Sequence, residues 1–290
     1  MKYICYNWMP TIADHILDLP ESFYNSAGTS RLHNIDNFNT YRILDNDTVF
    51  VKTDFIINGS FARLFLDKIP NKRFNLITGI SSYHLGRDDG NAYKYILDHP
   101  MLNKWICTNP PSEYSDKIIP IPIGFEEPDR PGGNQEMLDA VFQSRTPFDQ
   151  KENKIFLPYH NVNTNIQRRE LVSRLSSLPF VEVQKDKQNL EEYYSSLDKY
   201  KFVIGLEGSG PDIHRNYESM LVGSIPINTR NIIESVYDFY GVDTEFVEDW
   251  EQLNQEMFND LLEKKYNTKG NDRFLQIETV VDRIKEEISL

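Results

Sequence analysis

Cysteine is nearly absent from this chain: 290 residues hold two, Cys5 and Cys107, far apart. That excludes a disulfide framework and cysteine-based zinc spacing, and the two read as buried reduced thiols. Long apolar runs are missing too. None approaches the ~20 residues that span a bilayer, and the segment Met1 to Trp8 is too short and polar for a signal peptide. The expectation is a cytoplasmic protein with no membrane span. Basic charge is also scarce, with 31 Lys and Arg against 44 Asp and Glu and a net charge of −13. This argues against a general binder of nucleic acid or membrane surfaces. An anionic ligand would need a local cluster of arginines, so individual basic residues matter.

Several motifs are missing as well. No GxxxxGK[ST] loop is present, which excludes a P-loop kinase, and no GxSxG elbow. Gly208-x-Gly210 lacks the third glycine and the later acidic residue of a dinucleotide site. Asp45-Asn46-Asp47 has the D-x-D form of some metal sites, but it precedes the strand Thr48–Lys52 instead of following one. It reads as a turn, and no metal ligand set is expected.

What is there is a globular composition and an alternation of strand and helix. A chain of this length favours two domains. Strand-like runs fall at Lys2–Tyr6, Thr48–Lys52, Phe74–Thr78, Lys104–Thr108 and Ile118–Ile123, with helical stretches at Gly59–Lys68 and Asn91–Leu97. Residues 126–153 are rich in Pro, Gly and polar side chains and read as a connector with one helix, Gln135–Gln143. A second alternating series follows. Strands are expected at Lys154–Pro158 and Val181–Gln184, and helices at Asn165–Leu178, Leu190–Ser196, Ile232–Phe239, Trp250–Lys264 and Asp272–Ile288. Alternation of this kind predicts parallel sheets covered by helices. The expected division is residues 1–135, residues 150–270, and a C-terminal helix in 271–290 packing back on the first domain.

Residues 200–228, YKFVIGLEGSGPDIHRNYESMLVGSIPIN, are the most informative stretch. Phe202-Val203-Ile204 predicts a strand, Gly208-Ser209-Gly210-Pro211-Asp212 a loop, and Ile213 to Leu221 a helix with Asp212 as its N-cap, ended by Gly223. His214, Arg215 and Glu218 lie off the apolar stripe, and His214 and Glu218 share a face. Loop amides at a helix N-terminus beside an arginine can hold an anion. Arg168 and Arg169, opening the helix after the polar run Asn161-Val162-Asn163-Thr164-Asn165, are a second anion candidate. The competing reading of that pair is a solvated helix face. Glu218 has the chemistry to accept from two ribose hydroxyls, or it is a surface carboxylate.

These residues resemble the C-terminal signature of exostosin-like glycosyltransferases. The match comprises Phe202, Val203, Gly208, Gly210, Asp212, His214, Arg215, Glu218, Leu221, Gly223, Ile225, Pro226 and Ile227. Leu102 to Asn109 followed by Ile119-Pro120-Ile121-Pro122-Ile123-Gly124 is similar to a second segment of small soluble members from large viruses (chlorovirus xylosyltransferase-type) and bacteria. Thr164-Asn165 leading to Arg168-Arg169 resembles a third. The chain departs from its relatives at Thr78-Gly79-Ile80-Ser81-Ser82-Tyr83, where Ser82 stands in an acidic position.

The resemblance implies an α/β fold of GT-B-like architecture, two Rossmann-like domains facing across a cleft, acceptor on the first and donor on the second. It implies a hexosyl- or pentosyltransferase moving a sugar from a nucleotide-diphosphate donor, a UDP-sugar by likeness, to a glycan hydroxyl. Inversion and independence of metals or other cofactors are expected. Donor-binding candidates are Asn163, Thr164, Arg168, Arg169, Gly208, Ser209, Gly210, His214, Arg215 and Glu218. Arg168 and Arg215 would neutralise leaving-group charge. The general base would be His84, then Asp88, then Asp54. The Ser82 departure motivates an alternative, a nucleotide- or sugar-binding protein with a degenerate site.

Overall fold

A computed structural model describes residues 3–17, 32–35, 38–69, 71–112, 115–160 and 167–289. Internal contacts divide the chain into two compact units, Cys5–Ile123 with Val280–Leu290, and Met1–Ile4 with Gly124–Thr279. Both are α/β, and every paired strand within them is parallel.

The first unit contains β1 (His15–Leu17), β2 (Leu32–His33), β3 (Asp47–Lys52), α1 (Thr53–Ile57), α2 (Ser60–Leu64), β4 (Phe74–Gly79), α3 (Ala92–Leu97), β5 (Leu102–Cys107) and β6 (Ile118–Pro120). Its sheet order is β2-β1-β3-β4-β5-β6. The central strand β4 is buried at every position, as a parallel strand covered on both faces must be. Trp105, fully buried, satisfies its indole N–H on Thr78 Oγ1 at 2.9 Å. Cys107 is buried and reduced, as is Cys5. Asp45 and Asn46 form the turn before β3, with Asn46 at φ 68°.

The second unit contains α4 (Gln135–Ser144), β7 (Glu152–Leu157), α5 (Gln167–Leu175), β8 (Val181–Val183), α6 (Leu190–Asp198), β9 (Tyr200–Ile204), α7 (His214–Leu221), β10 (Ile225–Thr229), α8 (Ile233–Tyr240), β11 (Glu245–Val247), α9 (Gln255–Glu263), α10 (Thr268–Phe274) and the start of α11 (Ile277–Ser289). The order β11-β10-β9-β7-β8 puts β9, the signature strand, at the centre. Phe180 and Phe258 stack at 4.6 Å in its core. A capping box formed by Asn189 and Glu192 starts α6, satisfying two helix-end donors at once.

Several sequence expectations are corrected. Tyr3 to Cys5 is extended but joins no sheet: it has an isolated bridge from Tyr3 to Gln276, and a 3-10 helix starts at Tyr6. Pro10 within that helix cannot donate to a ladder. Strand β6 ends at Pro120, not Ile123. Strands β1, β2 and β11 have only two or three residues each, too few to show a period.

Candidate functional site

The loop after β9 and the N-terminal turn of α7 lie at the carboxyl end of the second sheet, where parallel α/β folds expose ligand sites. The expected Asp212 cap is replaced by another arrangement. The N-cap residue is Ile213, with no side-chain cap, and the helix begins at His214. Asp212 instead accepts from Ile213 N at 2.8 Å and from the Tyr217 hydroxyl at 2.5 Å. It fixes the entry of the chain into α7. The loop itself closes through Gly208 N to Gly210 O at 3.2 Å, with Ser209 exposed.

A cavity of about 230 Å³ lies here, and its lining includes Arg168, His214, Arg215, Glu218 and His160. Arg168, 9% exposed, comes from the first turn of α5. Its Nε and Nη2 donate to the carbonyl of Glu207 at 2.9 and 2.6 Å, and Nη2 also reaches that of Leu206 at 3.2 Å. Gly208 lies against this guanidinium: a Cβ there would make ordinary contact with Arg168 Nη2 at 3.6 Å.

Arg215 is held on three sides. It donates from Nη1 to His160 Nε2 at 2.7 Å, from Nε to the Tyr193 hydroxyl at 3.2 Å and from Nη2 to the Tyr159 carbonyl at 3.3 Å. Tyr193 in turn donates to Glu218 Oε2 at 2.6 Å. Burial and Glu218 push the Tyr193 phenol up, so it stays a donor. Burial opposes the charge on Arg215, but Tyr193 and Glu218 outweigh it and the net shift is upward. Arg168 is lowered by burial and then by Arg215. His214 donates from Nδ1 to the Gly124 carbonyl at 2.7 Å.

The structure thus brings together Arg168, His214, Arg215 and Glu218 beside Gly208 and Gly210. Arg169 is exposed and does not line the cavity. Asn163 and Thr164 lie outside the described residues. His160 and Tyr193 were not foreseen. His160 stands three residues past β7, at a strand end where functional side chains gather, which was a usable signal. Tyr193 is one of a tyrosine pair inside α6, and nothing local distinguishes it.

The proposed bases lie in the first unit. His84 follows β4 and is buried, with no hydrogen-bond partner on Nδ1 among the described residues. Burial, and then Arg87, lower its pKa, against the pull of Asp88 and Asp89. Asp88 is chelated by Arg87 at 2.9 and 3.0 Å and accepts from His84 N at 2.8 Å, and Arg87 holds its carboxyl below the usual range. Asp54 lies in the first turn of α1 with Lys52 3.5 Å away. The backbone at the ends of β4 and β5 is strained: Ile80 has φ 55° and Asn109 φ 46°. A β-branched residue in the left-handed region is a genuine outlier. Ser82 lies in this same loop.

No protein-family profile and no curated protein matches the chain. Among solved structures, a chain of the GtfA/B complex superposes with a TM-score of 0.45 at 10% identity, over 86% of this chain and 58% of that one. The chain therefore spans little more than half of that neighbour's length.

Proposed function

We propose that this chain is a glycosyltransferase that takes a nucleotide-diphosphate sugar. One observation carries the reading: two guanidinium groups, Arg168 and Arg215, line one cavity beside the Gly208–Gly210 loop, where burial and then Arg215 oppose the charge on Arg168. A bound diphosphate would relieve that repulsion. With the diphosphate bound there, the charges would meet the leaving group where its charge grows and act most strongly in the transition state.

In this reading the donor's diphosphate lies against Arg168, Arg215 and the loop Gly208–Gly210. His214 and Glu218 hold the adjoining sugar or ribose. An acceptor hydroxyl oxygen attacks the anomeric carbon, the bond to the diphosphate oxygen breaks, and its electron pair leaves with the nucleoside diphosphate. His84, neutral because burial lowers its pKa, takes the hydroxyl proton, and a single displacement inverts the anomeric centre. Asp88, already engaged by Arg87, is a weaker base. The first unit then serves the acceptor and the second the donor, a GT-B-like division.

The test is a thermal-shift screen over nucleotides and nucleotide sugars, followed by assay of nucleoside diphosphate release. Binding to the native state raises Tm by mass action. A matched donor should raise Tm and be turned over. No shift with any nucleotide overturns the reading. Ser82 supports one alternative, a binding protein with a degenerate site, and a donor that binds but is never hydrolysed or transferred would favour it.

A further inference from the structure

A second cavity, of about 280 Å³, lies where β9, β10 and β11 end. It shares Arg168 and Leu206 with the first cavity, so the two meet at one guanidinium. Leu171 and Trp250 add apolar wall, while Glu207, Glu248 and Asp249 bring three carboxylates. Each carboxylate is held in place. Glu207 Oε1 accepts from Asn231 Nδ2 at 2.6 Å, Glu248 Oε1 from Arg230 Nε at 2.6 Å, and Asp249 Oδ1 from Glu251 N at 2.8 Å. A carboxylate has about four lone-pair sites, so each keeps capacity to accept more. Among the described residues no three of His, Cys, Asp and Glu are placed to share a metal ion.

The chemistry of this cavity is opposite to that of its neighbour. Carboxylates repel phosphate and accept from N–H and O–H groups, and the apolar walls suit a flat ring. The part of a nucleotide that fits beside the diphosphate is the nucleoside. The bases differ in what they offer. Guanine presents N1–H and N2–H side by side, two parallel donors that match one carboxylate. Uracil presents one N3–H between two carbonyl oxygens, which carboxylates repel. Adenine presents its N6 amine next to a bare acceptor.

We infer that the second cavity is the nucleoside subsite and that it selects guanine through Glu207, making the donor a GDP-sugar and not the UDP-sugar that the family resemblance implies. The inference rests on the donor reading proposed above. Glu207 is the partly buried member of the three, whereas Glu248 and Asp249 are exposed. It also follows β9 directly, and its backbone carbonyl anchors Arg168. One residue therefore links base recognition to diphosphate binding.

The experiment is calorimetric titration of the full chain with GDP, IDP, ADP, UDP and inorganic pyrophosphate. GDP should bind at least about 10-fold more tightly than UDP or ADP, the discrimination of one matched bidentate pair. IDP, which lacks only the N2 amine, should fall about 10-fold below GDP. Glu207→Gln keeps the anchoring carbonyl; it should bring GDP and UDP to within about 3-fold of each other and leave pyrophosphate binding unchanged. If UDP or ADP binds as tightly as GDP, or IDP matches GDP, the guanine assignment falls while the donor site stands. An unchanged GDP preference in Glu207→Gln overturns it too. If neither nucleotides nor pyrophosphate bind, the donor reading itself fails. The IDP comparison needs no variant, so a misfolded Glu207→Gln leaves the inference testable.

Discussion

Arg215 donates from Nη1 to Nε2 of His160 across 2.7 Å, and this contact fixes the protonation of the imidazole. A guanidinium has no acceptor, so Nε2 must carry the lone pair. The ring proton then sits on Nδ1, which donates to the Pro158 carbonyl at 2.6 Å. Burial, followed by the charge of Arg215, pushes the pKa of His160 down to about 2.

That shift predicts an acid sensitivity with a definite sign. The folded state keeps His160 neutral down to about pH 2, whereas the unfolded chain takes a proton below about pH 6.5. The unfolded state binds more protons between those limits, so stability contributed here is complete above about pH 6.5 and falls as pH drops. The loss is about 1.4 kcal/mol per pH unit. Urea unfolding at pH 7, 6 and 5 should show His160→Gln losing less stability than the parent by that increment. Equal losses would mean that His160 titrates normally in the folded protein.

Arg215→Ala should lower turnover by at least ~100-fold, the scale of losing one transition-state donor, while the protein stays folded. Arg215→Lys should recover little, because one ammonium cannot reproduce three bonds to His160, Tyr193 and the Tyr159 carbonyl. Near-normal turnover of Arg215→Ala would remove it from the mechanism.

How far the sequence foretold this site follows from the range of each interaction. The strand Tyr200–Ile204, the loop and helix α7 were legible because periodicity and glycine placement are local. Arg168 was legible as a strand-to-helix arginine. Its anchoring by the carbonyls of Leu206 and Glu207, 38 and 39 residues away, depends on β7 and β9 being neighbours, and no local pattern carries that. His160 and Arg215 are 55 residues apart for the same reason. Asp212 misled because an acidic residue before a helix is the usual cap, whereas here the buried Tyr217 hydroxyl takes its second oxygen.

If His84 is the base, activity requires it neutral. Burial and Arg87 lower its pKa, so kcat/KM should rise with pH along an acidic limb whose midpoint lies below the ordinary 6.5 of histidine. Asp88 pulls the other way. Asp88→Asn should therefore move the limb to still lower pH, and His84→Ala should abolish turnover. A limb that ignores both substitutions assigns the base elsewhere.

In the proposed reaction Arg168 and Arg215 take the leaving group's charge in place of a divalent ion. Turnover should survive excess EDTA within about 2-fold. Loss in EDTA with recovery on adding manganese would show that a cation shares the arginines' task.

Gly205 follows the central strand β9 and leads into the two carbonyls that hold Arg168. A Cβ there would lie 2.4 Å from Asn228 Oδ1 and 2.5 Å from Asn216 Oδ1. Both asparagines are buried, at 3% and 0% exposure, so neither swings aside freely. Gly205→Ala should cost roughly 1–3 kcal/mol, the range for overpacking a close-packed interior, read as a lower urea midpoint at constant slope. Because Leu206 and Glu207 must shift with the strand end, Arg168 loses its anchor. Pyrophosphate affinity should therefore fall in the fraction that remains folded. Unchanged stability and binding would show that β9 and α7 separate easily at this point, and that the anchor of Arg168 does not depend on their close approach.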